Sequence, residues 1–293
     1  MIKKFIDPNI KNKTKTVENR IQFVNYKNKQ FPLPTEIEIS ESGVCNRKCS
    51  FCPRSAPDFI EKKEFISNKL HQKMCDELKM LNYKGTIRYS GFVEPMLDKN
   101  IYNLICMART KLGDCNIEMV TNGDVLNKSR LKELFSNGLN KILISAYDGK
   151  AEADKLENLC KDINLSSDQY IVRHRYLPEI DDFGITLSNR SGTMENAEFK
   201  IAALKEPLKK PCYIPSYTFF LDYQGDVLIC PHDWGKKIIL GNLNYKSILD
   251  IWFSPKAMKI RNLLSKANRN FNPCNLCDVE GTFMGKKNST FFL

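Results

Sequence analysis

The 293-residue chain has no apolar run of the roughly 18 residues that a bilayer-spanning helix needs, and no secretory signal pattern opens it. Export and membrane insertion are therefore not expected, and the chain reads as soluble and cytoplasmic. No internal repeat or low-complexity segment stands out. Histidine is scarce, with three in all. His71 and His174 fall in an expected helix and an expected strand, so neither is at hand to complete a metal site elsewhere.

The length suffices for one large α/β domain and a small appendage, with ample core. Eleven cysteines are present. In a reducing compartment they are not a disulfide framework, and clusters of them read as metal or iron–sulfur ligands. Seven fall into two groups. Cys75, Cys106, Cys115 and Cys160 lie scattered in apparent helices and strands, as buried inert thiols do. The net charge is +11, which raises the question of nucleic acid. The excess is mostly lysine, accompanied by abundant asparagine and isoleucine. Residues 1–30 hold eight Lys/Arg against Asp7 and Glu18, with no glycine-rich or aromatic-interleaved pattern. A solvated lysine-rich surface is expected there, not a nucleic-acid-binding one.

From residue 36 short strand candidates alternate with amphipathic helices, the pattern of a parallel sheet with crossover helices. The strands are 36–40, 86–90, 116–120, 141–145, 170–176 and 183–187, with helices near 70–81, 98–112, 127–137 and 151–162. Gly138 stands where a helix would end. Six such units make a partial (β/α)6 TIM-like barrel, whose chemistry gathers at the C-terminal strand ends. The run Cys45–Cys52, Glu94, Asn122, Ser145 and Arg190 all fall at such ends. After residue 193 the pattern changes to a β-hairpin (217–222 and 227–230, turning at Gly225) and a helix or helix pair over 247–261. The expected division is a basic N-terminal extension (1–34), the barrel (35–195) and a small hairpin-plus-helix domain (196–293).

Cys45, Cys49 and Cys52 offer three thiolates from one loop, one fewer than a cubane iron–sulfur cluster needs. A structural zinc site would require a fourth protein ligand, and no nearby histidine supplies it. The segment, with Phe51 just before its last cysteine, resembles the cluster-binding loop of the radical S-adenosylmethionine (radical SAM) superfamily. That resemblance implies a 4Fe–4S cluster on the three cysteines, with SAM on the open iron. Reductive cleavage of SAM then yields a 5′-deoxyadenosyl radical that takes a substrate hydrogen.

Other stretches carry the same resemblance. Ser90-Gly91-Phe92-Val93-Glu94-Pro95 is similar to the family's glycine-rich Glu-Pro motif, with Phe92-Val93 in place of the second glycine. Gly91 would let backbone approach SAM, and Glu94 would hold its ammonium. Thr121-Asn122-Gly123 and Ile144-Ser145-Ala-Tyr147-Asp148-Gly149 match the family's next strand endings. Phe51, Asn122, Ser145 and Arg190 complete the implied SAM set. Tyr147, Asp148, Arg173, Arg175 and Arg190 are candidates for contact with substrate. Alternation turns Arg173 and Arg175 to one face of their strand, where they would hold SAM carboxylate, a phosphate or an acidic substrate.

Cys212, Gly225, Cys230 and the pair Cys274/Cys277 resemble the SPASM family of auxiliary-cluster domains in its shortened, twitch form. One fully protein-ligated 4Fe–4S cluster is implied, acting in electron transfer; zinc on the same four thiolates is the alternative. His232, Asp233 and Trp234, just after Cys230, would tune it or face solvent. Twitch relatives imply oxidation of a hydroxyl on a sugar- or cyclitol-like small molecule, with an electron donor such as flavodoxin or ferredoxin. Peptide maturation and redox-neutral epimerisation are the rival enzymatic readings. A metal-stabilised RNA-binding protein is the non-enzymatic one; it leaves the open triplet and Glu94 unexplained.

Overall fold

The computed structural model describes residues 8–176, 187–197 and 200–292. Helix α1 (Pro8–Asn19) is followed by a hairpin of β1 (Phe23–Tyr26) and β2 (Lys29–Pro32). The repeating part then runs β3 (Glu36–Ser40), α2 (Asn68–Met80), β4 (Thr86–Tyr89), α3 (Ile101–Lys111), β5 (Asn116–Thr121), α4 (Lys128–Ser136), β6 (Lys141–Ala146), α5 (Lys150–Asp162) and β7 (Tyr170–His174). The C-terminal part holds β8 (Thr218–Asp222), β9 (Asp226–Leu228), β10 (Ile239–Asn242), α6 (Ile248–Trp252), α7 (Pro255–Ser265) and α8 (Lys286–Ser289). The fold is the partial TIM-like barrel with a small C-terminal domain. The expected sixth strand lies, but for Leu187, outside the described residues.

Strands β3 to β7 are parallel neighbours in chain order, and β8 joins the other side of β3, also parallel. The hairpin after residue 193 is thus continuous with the barrel sheet: Glu36 pairs with Thr218 and Ser40 with Asp222. On the outer face Ile37, Ile39, Ile87 and Ile117 pack with Leu70, Met74 and Leu78 of α2, whose 3.6-residue spacing makes one apolar stripe. Ser67 caps that helix by accepting from the Leu70 N–H, and Asn127 caps α4 by accepting from Arg130.

The inner face is polar. Arg88 Nε donates to Glu36 (3.0 Å) and its Nη2 pairs with Glu118 (2.9 Å), all three side chains at most 2% exposed. Helix α1 supplies the remaining counter-charge. Lys13 Nζ lies 2.5 Å from Glu36 and 3.5 Å from Glu38, and Lys141 donates to Asn12 (3.0 Å). This corrects the expectation of a wholly solvated N-terminal segment, because the Lys13 side chain is only 16% exposed. Three carboxylates buried inside a barrel demand cations, and breaking such a pair costs about 3–5 kcal/mol. Of the scattered thiols, Cys75, Cys115 and Cys160 are buried as expected, whereas Cys106 is exposed.

Candidate functional site

One cleft at the C-terminal strand ends is lined by Cys45, Cys49, Cys52, Phe51, Gly91, Glu94, Asn122, Ser145 and Arg190. These come from the loops after four different strands and from the loop around residue 190. Tyr147 also lines it. Arg173 and Arg175 line a second cavity instead, together with Arg190. His174, on the opposite face, stacks on Tyr176.

Asp148 enters neither. Its side chain is 65% exposed and ion-paired to Arg47 at 2.8 Å, which holds its carboxyl below the usual range. This placement sets Asp148, a candidate for contact with substrate, apart from the linings of both cavities.

Arg47, inside the cysteine loop, is the residue that sequence reasoning missed. Its guanidinium also donates to Asp124 (Nε to Oδ2, 2.7 Å) and to Glu152 (3.1 Å), and lies 5.2 Å over the Tyr147 ring. Asn46 beside it donates to Asp124 (2.6 Å) and accepts from Asn122 Nδ2 (2.8 Å). The loop is thereby tied to the ends of β5 and β6. Burial pushes the Cys49 thiol up to about 11, and the neighbouring Cys52 and Cys45 push it the same way. Burial likewise raises the Cys45 thiol, so two of the three thiols in this half-buried loop are held in the protonated form until a cation or cluster takes the proton's place.

Gly91 adopts φ +103°, and a Cβ there would come within 2.9 Å of the Phe220 ring. Only glycine lets the loop turn this close to β8. Glu94, 2% exposed, accepts from the Met96 N–H (3.0 Å), the Thr121 hydroxyl (2.6 Å) and the Asn122 N–H (2.7 Å). A carboxylate has about four acceptor positions, so one is left on Oε2 of a residue that lines the cleft. Burial lifts its pKa to about 7, against the pull of those hydrogen bonds. Arg54 and Trp234, also unforeseen here, complete the wall. Arg54 is buried and donates to the Phe92 and Gly43 carbonyls; Trp234 packs on Phe92 at 4.3 Å.

The C-terminal thiols gather differently. Cys230 is driven well above its ordinary value first by burial and then by the neighbouring Cys274, Cys277 and Cys212. Arg269, 2% exposed, donates to the carbonyls of Lys210 (2.9 Å), Pro211 (3.0 Å), Val279 (2.7 Å) and Glu280 (2.5 Å). It clamps the segment before Cys212 to the one after Cys277. Gly281 (φ +70°) lies so close that a Cβ would meet the Cys212 sulfur at 2.3 Å. Asp233 accepts from the Lys237 (2.9 Å) and Ile238 (2.8 Å) N–H groups and holds the turn after Cys230. His232 lines the second cavity near the Ser188 hydroxyl. Among the described residues no three His, Cys, Asp or Glu groups are arranged to hold a single metal ion. An all-thiol donor set of this kind fits a cluster's sulfur-only ligation.

The radical SAM superfamily model matches residues 39–179, and the model of an iron–sulfur cluster-binding domain, SPASM, matches residues 212–278. An S-adenosyl-L-methionine-dependent 2-deoxy-scyllo-inosamine dehydrogenase of Niallia circulans is 28% identical over 233 residues, 80% of this chain and 88% of that relative. A crystal structure of BtrN in complex with AdoMet and 2-DOIA superposes with a TM-score of 0.73 at 25% identity, covering 87% of this chain and 98% of BtrN. BtrN in an open conformation shows the same fold, with a TM-score of 0.62 at 22% identity over 84% and 93% of the two chains. With both cysteine groups inside the matched stretches, this chain belongs to the radical SAM superfamily, as an oxidoreductase with a C-terminal SPASM-type domain whose cofactors are S-adenosylmethionine and 4Fe–4S clusters.

Proposed function

We propose that the protein oxidises a hydroxyl group of a sugar- or cyclitol-like small molecule. The observation that carries this is a cavity of about 480 Å³ which meets the cysteine-lined cleft at Arg190 and is walled on its far side by Pro231, His232 and Asp278–Gly281 of the C-terminal part. It takes Pro231 and Asp278 from the positions next to Cys230 and Cys277, and it has the size of a small-ligand site. The likeness to an inosamine dehydrogenase over most of both chains points to the same reaction class.

When bound, SAM and the triplet's cluster would supply the oxidant that takes a hydrogen atom from the substrate carbon, the second cluster would accept the remaining electron, and the hydroxyl proton would pass to solvent, leaving a carbonyl. Cys45, Cys49 and Cys52 hold the first cluster; Cys212, Cys230, Cys274 and Cys277 hold the second. Glu94 receives the SAM ammonium on its free acceptor position, and Gly91 lets the backbone approach. Asn122 and Ser145 border the SAM position, and Arg190 stands where the two cavities meet. Ser145 accepts from Arg173 Nη1 (3.3 Å), so the SAM side and the substrate side share one hydrogen-bonded wall. Phe51 lies 5.6 Å from Tyr147, and Phe92 with Trp234 covers the other side, so apolar surface keeps water from a reactive intermediate. An electron donor of the flavodoxin or ferredoxin kind, in the cytoplasm, completes the proposal.

Anaerobic reconstitution is expected to give about eight irons per chain, and SAM with a strong reductant to release 5′-deoxyadenosine. Cys45→Ala should abolish that release. Cys274→Ala should keep some release while blocking product oxidation. Iron near four, bound zinc, or full turnover by Cys274→Ala would sink the two-cluster mechanism.

A further inference from the structure

Among the described residues six charged side chains line the second cavity, three arginines and a lysine against two carboxylates. Four of the six are committed elsewhere. Lys13 pairs with Glu36 and Glu38, Glu280 pairs with Lys210, Arg173 donates to Ser145, and Arg175 is engaged as well. That leaves Arg190 and Asp278, one charge of each sign. Arg190 Nε and Asp278 Oδ1 are both buried, and neither has a hydrogen-bond partner among the described residues. The two groups therefore do not satisfy each other, although the fold ties them together. Asn189, the residue before Arg190, donates its N–H to Asp278 Oδ2 (2.9 Å) and accepts from the Asp278 N–H on its own side chain (3.3 Å). The Asn189 amide also donates to the Ala202 (2.9 Å) and Leu276 (2.6 Å) carbonyls, which pins the turn in which Arg190 takes a left-handed φ of +46°. Two orphaned polar atoms of opposite charge, on residues that line one cavity, call for a partner that can serve both.

A guanidinium can only donate, and a carboxylate can only accept. An ammonium offers no lone pair to Arg190 and meets its charge, while a ligand carboxylate or carbonyl offers no proton to Asp278. A neutral hydroxyl serves both at once. Resting on the reading of this cavity as the substrate site, we propose that Asp278 is a specificity-determining residue. It and Arg190 grip one hydroxyl of a neutral polyol, the O–H donating to Asp278 Oδ1 and the oxygen accepting from Arg190 Nε. Because Arg190 also lines the cysteine-lined cleft, the grip sets which part of the substrate is turned toward the SAM side. Both bonds are charge-assisted, and an analogue without this hydroxyl leaves two buried groups unpaired.

The test is calorimetric titration of the cluster-loaded, SAM-bound protein with scyllo-inositol, a neutral ring that presents a hydroxyl in every orientation. Saturable binding is expected. In Asp278→Asn the amide oxygen keeps the Asn189 N–H and the amide nitrogen takes the place of Oδ1. A donor then stands where an acceptor was, and binding should weaken about tenfold. Arg190→Met should weaken it by a similar factor. The double variant should bind about as well as either single one, because both residues act on one hydroxyl. Iron content and the melting temperature of ligand-free Asp278→Asn should match the wild type. The proposal is overturned by no saturable binding, by unchanged affinity in Asp278→Asn (a structural water then fills the gap), or by effects that multiply in the double variant. Loss of fold or iron in Asp278→Asn would overturn it too, by making the residue a structural one. Release of 5′-deoxyadenosine by the same samples keeps the two readings apart. Cyclitol binding without SAM cleavage leaves this grip standing and removes the enzymatic reading, whereas cleavage with binding unaffected by Asp278→Asn removes the grip alone.

Discussion

At the N-terminal cysteine triplet the stabilising arginine lies inside the ligand loop and works through carboxylates; at the C-terminal group it lies outside the ligands and works through backbone carbonyls. Arg47 is 18% exposed in its side chain and bonded to Asp124, Asp148 and Glu152, the second of these open to solvent. Arg269 is buried, and each of its four bonds replaces water on a peptide carbonyl. The first arrangement leaves thiols facing a cleft that a ligand must enter. The second sets one buried thiol, Cys277, and three half-buried ones behind a clamp of paired carbonyls. An open site tolerates a salt-sensitive, partly solvated tether, whereas a closed one needs every buried carbonyl paired.

The sharpest break of this comparison is Arg269→Met. Each orphaned buried acceptor costs roughly 1–3 kcal/mol, so the loss should reach about 4 kcal/mol or more and take the second cluster with it. Reconstituted iron should fall from about eight to about four per chain, with 5′-deoxyadenosine release retained in part. Unchanged iron content would show that the clamp is dispensable.

Glu94 probes the open site through pH. Its folded pKa of about 7 lies above the ordinary 4.5. The folded state therefore binds the proton more tightly, and without SAM stability declines as pH rises from about 4.5 through about 7. The SAM ammonium favours the ionised form, so SAM affinity should rise by up to about tenfold per pH unit toward pH 7 and level off above it. Glu94→Gln should flatten both profiles. Equilibrium dialysis of SAM across this range checks it, and a pH-independent wild type would remove Glu94 from the ammonium site.

Arg47→Ala is the mildest change. Partly exposed pairs contribute little, so thermal stability should drop by about 1 kcal/mol and the difference should shrink in high salt. A loss as large as that of Arg269→Met, indifferent to salt, would erase the distinction between the two tethers.

Much of this was legible in the chain. The five strands β3–β7 and the helices α2–α5 follow from alternation and 3.6-residue spacing, which are local, and each lies within a few residues of its expected place. The pair α6 and α7 follows likewise, separated where Ser254-Pro255 starts a new helix. The hairpin β1–β2 and strand β10 were not foreseen, being four-residue strands without a clear period. Arg47 and Arg269 were invisible for another reason. Asp124 and Asp148 lie far from Arg47 along the chain, and the carbonyls that Arg269 pairs belong to Lys210, Pro211, Val279 and Glu280. No spacing rule links a long side chain to such partners.

By itself the sequence determined the strand–helix alternation, the two cysteine groups and, through them, the family, because spacing within one loop already dictates how many thiolates can meet one cluster. The tertiary structure alone decided which arginines hold those loops and that β8 continues the barrel sheet. It also decided that Lys13 leaves solvent to complete both a buried ion network and a cavity wall. Partners of long charged side chains are chosen by what the fold brings within about 3–4 Å, a distance that chain separation does not encode.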